Sequence, residues 1–197
     1  MNYPLTLGFK LVEFAPQLSV TDAGGAVVFY ARQTLSQIKQ GATIFADAEQ
    51  TRPLYTVSAD QAPGVAALYA FADMGGADRG ALRREGVRSL WRGRYDILAG
   101  ESVILTIQEE RPWIKALDEL VDEIPFAGQA TEYFFHPAYL VNRPDGSTVL
   151  RMEKQPGAVP MLDETFRIER KAPLPEAEET TALLALVTMV LRKITGG

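Results

Sequence analysis

Six of the fourteen arginines in the chain fall within sixteen residues: Arg79, Arg83, Arg84, Arg88, Arg92 and Arg94. Only Asp78 and Glu85 oppose them, so residues 78–94 carry a formal charge of +4. A guanidinium is planar and always charged. Several of them on neighbouring strands can clamp the phosphate of a lipid headgroup or a nucleotide through paired hydrogen bonds. Recognition of an anion is the chemistry this spacing allows, and these six are the candidate ligand-binding residues. A plainer reading stands beside it. Strand alternation puts Arg92 and Arg94 on one face, where solvent or nearby acids such as Asp118 and Glu119 satisfy them, because exposed charges are usually only solvated.

Other chemistry is thinly represented. The single histidine, His136, precedes Pro137 in the aromatic run Tyr133, Phe134, Phe135. It has no evident Asp or Ser partner and no companion ligands, so its expected role is structural. The chain has no cysteine, which removes disulfides and thiolate metal sites. Two turns of the form Asp-x-Gly-Gly, at Asp22 and Asp73, lack the Gly-Lys-Ser or Gly-Lys-Thr that a phosphate loop requires. No nucleophile with a base, metal set or cofactor fingerprint emerges, so the expectation is a protein that is not an enzyme and uses no cofactor and no metal.

The elements that must position these residues follow from hydropathy. With 197 residues, 47% of them hydrophobic, the chain can bury one sizeable core, and no linker divides it, so residues 1–197 are expected to form one domain. The net charge of −5 argues against a nucleic-acid partner. Residues 1–10 lack the features of a secretion signal, which makes the cytoplasm the expected location, with peripheral membrane contact as an option.

Short alternating runs broken by turn residues dominate the first 108 residues. Leu5, Leu7, Phe9 and Leu11 alternate cleanly. Hairpins are expected where 18–21 meets 27–31, where 68–72 meets Asp73-Met74-Gly75-Gly76, and where 139–142 meets 148–152 across Pro144-Asp145-Gly146. Further strands are expected at 43–46, 54–58, 81–84, 89–98, 103–108 and 165–169, about a dozen in all with 5–14 taken as one. From 112 to 124 the period changes. Trp113, Ile114, Leu117, Leu120, Val121 and Ile124 recur at helical steps, with Lys115, Asp118, Glu119, Asp122 and Glu123 opposite. This is an amphipathic surface helix, and its acidic face favours docking on the fold over insertion at an anionic membrane.

The end of the chain decides the architecture. Residues 182–191 are apolar on every side of a helix, with acids before them (Glu176, Glu178, Glu179) and Arg192 and Lys193 after, and Thr180 or Thr181 is available as a cap. Ten apolar residues are too few for a bilayer, which needs about 20. A helix over about 177–194 must therefore be enclosed by protein. A helix with its side chains is about 10–12 Å across, wider than an eight-stranded barrel can admit, whereas eleven-stranded barrels do hold a central helix. The expected fold is mainly β: a closed antiparallel barrel of about 12 strands around a central hydrophobic C-terminal helix.

This pattern resembles the tubby C-terminal-like superfamily, in which LURP-one-related proteins and phospholipid scramblases are grouped with tubby. The likeness rests on residues 20–27 with Phe29 and Tyr30, on Tyr69-Ala70-Phe71-Ala72-Asp73, on Trp91 with Tyr95, Asp96 and Ile97, on Phe166-Arg167-Ile168, and on the terminal helix. It implies a twelve-stranded barrel around a hydrophobic helix, and a cytoplasmic scaffold or lipid- or phosphate-responsive binding module. Asp163 and Glu164 stand without the further ligands of a scramblase calcium loop, and the palmitoylated cysteines have no counterpart. The basic phosphoinositide face of tubby cannot be matched residue by residue. An alternative function is a barrel-mouth binding protein for a small apolar or anionic ligand, near Tyr133, Phe134 and Phe135.

Overall fold

A computed structural model describes residues 1–12, 15–32, 41–60, 67–84, 94–110, 137–156 and 163–194. Twelve strands among them form a closed antiparallel barrel: β1 (Leu5–Val12), β2 (Ala15–Thr21), β3 (Val27–Arg32), β4 (Gly41–Phe45), β5 (Pro53–Asp60), β6 (Leu68–Asp73), β7 (Asp78–Arg84), β8 (Tyr95–Ala99), β9 (Ser102–Glu109), β10 (Ala138–Asn142), β11 (Thr148–Lys154) and β12 (Asp163–Arg170). Each strand pairs with its neighbour in the chain, and β1 closes the ring on β12 through pairs from Leu5↔Ile168 to Lys10↔Asp163. One helix follows, α1 (Glu176–Ile194).

Alternation places the core. On β1, Leu5, Leu7 and Phe9 are fully buried, and their register partners Leu18, Val20, Phe166 and Ile168 line the same interior. Ala182 through Leu191 of α1 are each no more than 4% exposed. The helix touches β2 as well as β6, β7 and β8, although β2 and β7 lie five strands apart one way round the ring and seven the other. An element in contact with opposing walls is inside the barrel, where each enclosed Leu or Val stabilises the fold by about 1.5–3 kcal/mol.

The outer wall takes the charges. Arg151 donates to Glu153 and Glu110, and Glu169 accepts from Arg167 and Lys171. Those bonds hold the Arg151 guanidinium charged, through Glu153 and then Glu110, and lower the Glu169 carboxyl through Lys171 and then Arg167. Apolar inside and charged outside is the reverse of a lipid-spanning barrel, which turns its apolar face outward. No described helix is long and apolar enough to cross a membrane.

The hairpin turns among the described residues gather at one end, with the start of α1. Three of them are built alike. In the first, Gly24 and Ala26 N–H donate to Asp22 Oδ1 at 2.9 and 3.0 Å; in the second, Gly75 and Ala77 N–H donate to Asp73 Oδ1 at 2.9 Å. Gly25 and Gly76 both sit at φ +82°, which an L side chain rarely adopts. The third closes with Ser147 N–H on Asp145 Oδ1 and Gly146 at +87°. In each, a bulge follows the turn: the pairs run Thr21↔Val27 then Val20↔Phe29, Ala72↔Asp78 then Ala70↔Ala81, and Asn142↔Thr148 then Val141↔Leu150.

Several boundaries correct the expectations. Of the run 5–14, β1 covers Leu5–Val12 and residues 13–14 lie outside the described residues, while β2 begins at Ala15 and not at Leu18. β7 begins at Asp78, because the bulge and Gly80 interrupt the alternation that marked 81–84. Of the run 89–98, residues 94–98 are described, and β8 runs from Tyr95 to Ala99. Neither Thr180 nor Thr181 caps the helix, which starts after Pro175 with the Glu179 N–H on the Pro175 carbonyl. Thr181 instead places its hydroxyl 2.8 Å from the Arg79 carbonyl and 2.9 Å from that of Ala177, sharing its proton between them. The amphipathic segment 112–124 lies outside the described residues.

Candidate functional site

The arginines divide along β7. Arg79 stands at the turn end, and its Nη2 and Nε donate to Asp73 Oδ2 at 2.7 and 3.2 Å. That contact raises the Arg79 pKa and is the largest cause lowering that of Asp73, ahead of the turn N–H groups. Arg83 lies four residues along the strand, about 13 Å away at about 3.3 Å per residue. Arg79 and Arg83 are drawn into separate ion pairs, with Asp73 at one end of the strand and Asp96 at the other.

At the far end of β7 a second group forms. Leu82 and Ile97 are paired across β7 and β8 and point inward, fully buried. The next pair, Arg83↔Asp96, therefore faces outward. Arg83 Nη2 donates to Asp96 Oδ2 at 2.8 Å, and Arg94 Nε lies 3.5 Å from Asp96 Oδ1. The arginine side chains are 42% and 48% exposed, whereas that of Asp96 is 5% exposed. One enclosed carboxylate thus gathers two half-exposed guanidiniums. Arg84 follows Arg83 and is exposed, at the end of β7. Arg88 and Arg92, and with them Asp118, Glu119, His136 and Tyr133 to Phe135, lie outside the described residues.

Asp96 is the residue that reading the sequence for acids missed as the partner of these arginines. A signal was present. Arg94 and Asp96 are two apart, and residues two apart on a strand share a face.

A different feature occupies the turn end. A cleft of about 630 Å³ opens between the first turns of α1 and β5, β7, β8 and β9. Tyr55, Ala99 and Ile104 line it from the wall, Thr180 and Thr181 from the helix, and Asp78, Glu176 and Glu178 bring carboxylates to it. Beside it, Arg170 reaches Glu179 at 3.3 Å and covers the ring of Tyr3, 4.8 Å from its centroid. Burial, and then the neighbouring Glu179, push the Tyr3 hydroxyl well above the ordinary tyrosine range. Among the described residues no three of His, Cys, Asp or Glu meet as metal ligands.

Comparison of the chain with protein-family models, curated proteins and solved structures gives no significant match.

Proposed function

We propose that the protein is a non-enzymatic binding module of the LURP-one and tubby-like type that recognises a phosphate-bearing ligand or anionic headgroup on the outer wall of β7 and β8. The observation that carries this reading is the gathering of Arg83 and Arg94 on Asp96. Two guanidiniums against one carboxylate leave a local positive excess on an otherwise acidic chain. The same reading places the protein in the cytoplasm, with peripheral contact to an anionic membrane surface. Flotation with phosphatidylglycerol-containing vesicles tests it: the wild type is expected to float at low salt, and the Arg83→Ala, Arg84→Ala, Arg88→Ala variant to stay at the bottom. Equal flotation of the two removes Arg83, Arg84 and Arg88 from the account.

A second reading is favoured by the turn-end cleft, whose volume suits a small ligand. Asp78, Glu176 and Glu178 outnumber the one lining cation, Arg79, which is itself paired with Asp73, so the ligand of this reading is apolar or bears positive charge. Native mass spectrometry of freshly purified protein is the test. A retained mass adduct supports the cleft, and its absence across several preparations argues against it.

A further inference from the structure

We propose that Asp96 is a positioning residue, which fixes Arg83 and Arg94 as a two-armed receptor for a tetrahedral oxyanion of the phosphate type. This rests on the anion-binding reading given above.

An outward-facing strand position is an unusual place for a carboxylate that is only 3% exposed. Enclosing it costs solvation that a single neutral side chain would not. Its hydrogen bonding is also incomplete: Oδ2 accepts from Arg83, while Oδ1 is buried with no hydrogen-bond partner, its nearest cation being Arg94 Nε at 3.5 Å. The pair is held by cross-strand register on one side and by same-face spacing on the other. Arg83 is opposite Asp96 on β7, and Arg94 precedes it by two residues. On β9 the residue opposite Asp96 is the uncharged Thr106.

The consequence for binding is a pair of guanidiniums whose rotamers are restricted before any ligand arrives. A guanidinium carries five N–H donors, and Asp96 takes one from Arg83. Both side chains remain about half exposed, so donors are left for a ligand from solvent. Holding two long side chains in one arrangement removes much of the ordering cost that binding otherwise incurs. Asp96 therefore acts in two opposed ways. Its charge weakens the local field for an anion, and its geometry strengthens the grip.

Those two effects give opposite signs when Asp96 is changed, which makes the proposal testable. Inorganic pyrophosphate, titrated calorimetrically at low ionic strength, is the soluble probe, and phosphatidylcholine vesicles with and without phosphatidylglycerol are the membrane probe. The Asp96→Asn variant is more positive than the wild type by one charge, so bare electrostatics requires tighter binding. Positioning requires weaker binding, by roughly tenfold, the worth of a charged hydrogen bond. Arg83→Lys with Arg94→Lys keeps the charge and loses the fork, and is expected to weaken binding to a similar degree. This variant also serves if Asp96→Asn does not fold, as judged by circular dichroism and melting.

Equal or tighter binding by a folded Asp96→Asn overturns the positioning role, as does undiminished binding by the double lysine variant. Failure of the wild type to bind either probe overturns the anion-binding reading itself. Wild-type binding to pyrophosphate alone assigns the receptor to a soluble phosphate compound. Binding to phosphatidylglycerol vesicles that pyrophosphate displaces assigns it to a headgroup.

Discussion

The β2–β3 and β6–β7 hairpins share a turn down to the hydrogen bonds, yet one is plain wall and the other is where the helix is seated. Both run Asp-x-Gly-Gly-Ala, both place the second glycine at φ +82°, and both carry a bulge after the turn. They part at the three residues beyond the turn: Val27, Val28 and Phe29 in the first, Asp78, Arg79 and Gly80 in the second. Phe29 fills the wall and meets the Tyr55 ring edge-on at 5.8 Å. At Gly80 there is no room for a side chain, since a Cβ would fall 2.4 Å from the Leu98 carbonyl and 2.7 Å from Thr181 Cγ2. The Arg79 carbonyl faces the Thr181 hydroxyl, and the Arg79 side chain turns back to the Asp73 of its own turn. The turn code thus builds the hairpin, and the three residues beyond it decide what the hairpin holds.

The largest expected effect comes from removing the helix that the second hairpin seats. Leu186 is fully buried, and Leu186→Asp places an unpaired charge in the barrel at a cost of several kcal/mol, against a total stability of about 5–15 kcal/mol. The variant is expected to lose cooperative folding by circular dichroism. If it stays compact, the helix is not the enclosed core on which the comparison rests.

Gly80→Ala comes next and bears on the hairpins directly. It combines a φ of +97° with two overlaps, one of them on backbone, and is expected to cost about 3 kcal/mol in urea unfolding. Gly25→Ala, at the matched turn glycine of the first hairpin, meets nothing within 4 Å and bears only the conformational cost of about 1–2 kcal/mol. Gly76→Ala should match Gly25→Ala. Equal losses at Gly80 and Gly25 would show that the close approach of Thr181 does nothing beyond the left-handed backbone.

The same pair of hairpins shows what was legible in the sequence. Turn glycines and alternating Leu5, Leu7 and Phe9 marked the strands, and an all-round apolar terminal segment marked the helix, because each is a local signal with one physical cause. The start of β7 was hidden, since a bulge shifts the alternation and Gly80 has no side chain to show it. The span of the helix, about 177–194, was read to within a residue, but its cap was not, because threonines suit a first turn as well as a cap and it is the Pro175 carbonyl that accepts the first helical bond. The arginine cluster was visible, but its division was not. Separation of Arg79 from Arg83, and the sharing of Asp96, depend on strand direction and register, which no composition reveals.

The smallest effect separates the hairpins by charge. Asp22 and Asp73 both have carboxyls lowered below the ordinary range, Asp22 chiefly by the Ala26 N–H and Asp73 chiefly by Arg79. A carboxyl lowered by folding contributes stability that is present above its unfolded value, about 3.9 for Asp, and lost as pH falls through the lower folded value. Urea midpoints of the wild type are therefore expected to decline as the solution is acidified below about pH 4, and Asp22→Asn and Asp73→Asn should each flatten part of that decline. Arg79→Ala distinguishes them. It should leave the Asp22 contribution intact and shrink that of Asp73, lowering stability at neutral pH by the same amount, a small one because the ion pair is exposed. The part of the Asp73 contribution that survives in Arg79→Ala belongs to Gly75 and Ala77 N–H and should fall below that of Asp22, whose turn makes the same two bonds and to which the Asn2 N–H and the N-terminal ammonium add. A residual equal to that of Asp22 would mean that Asn2 and the N-terminus add nothing to the first turn.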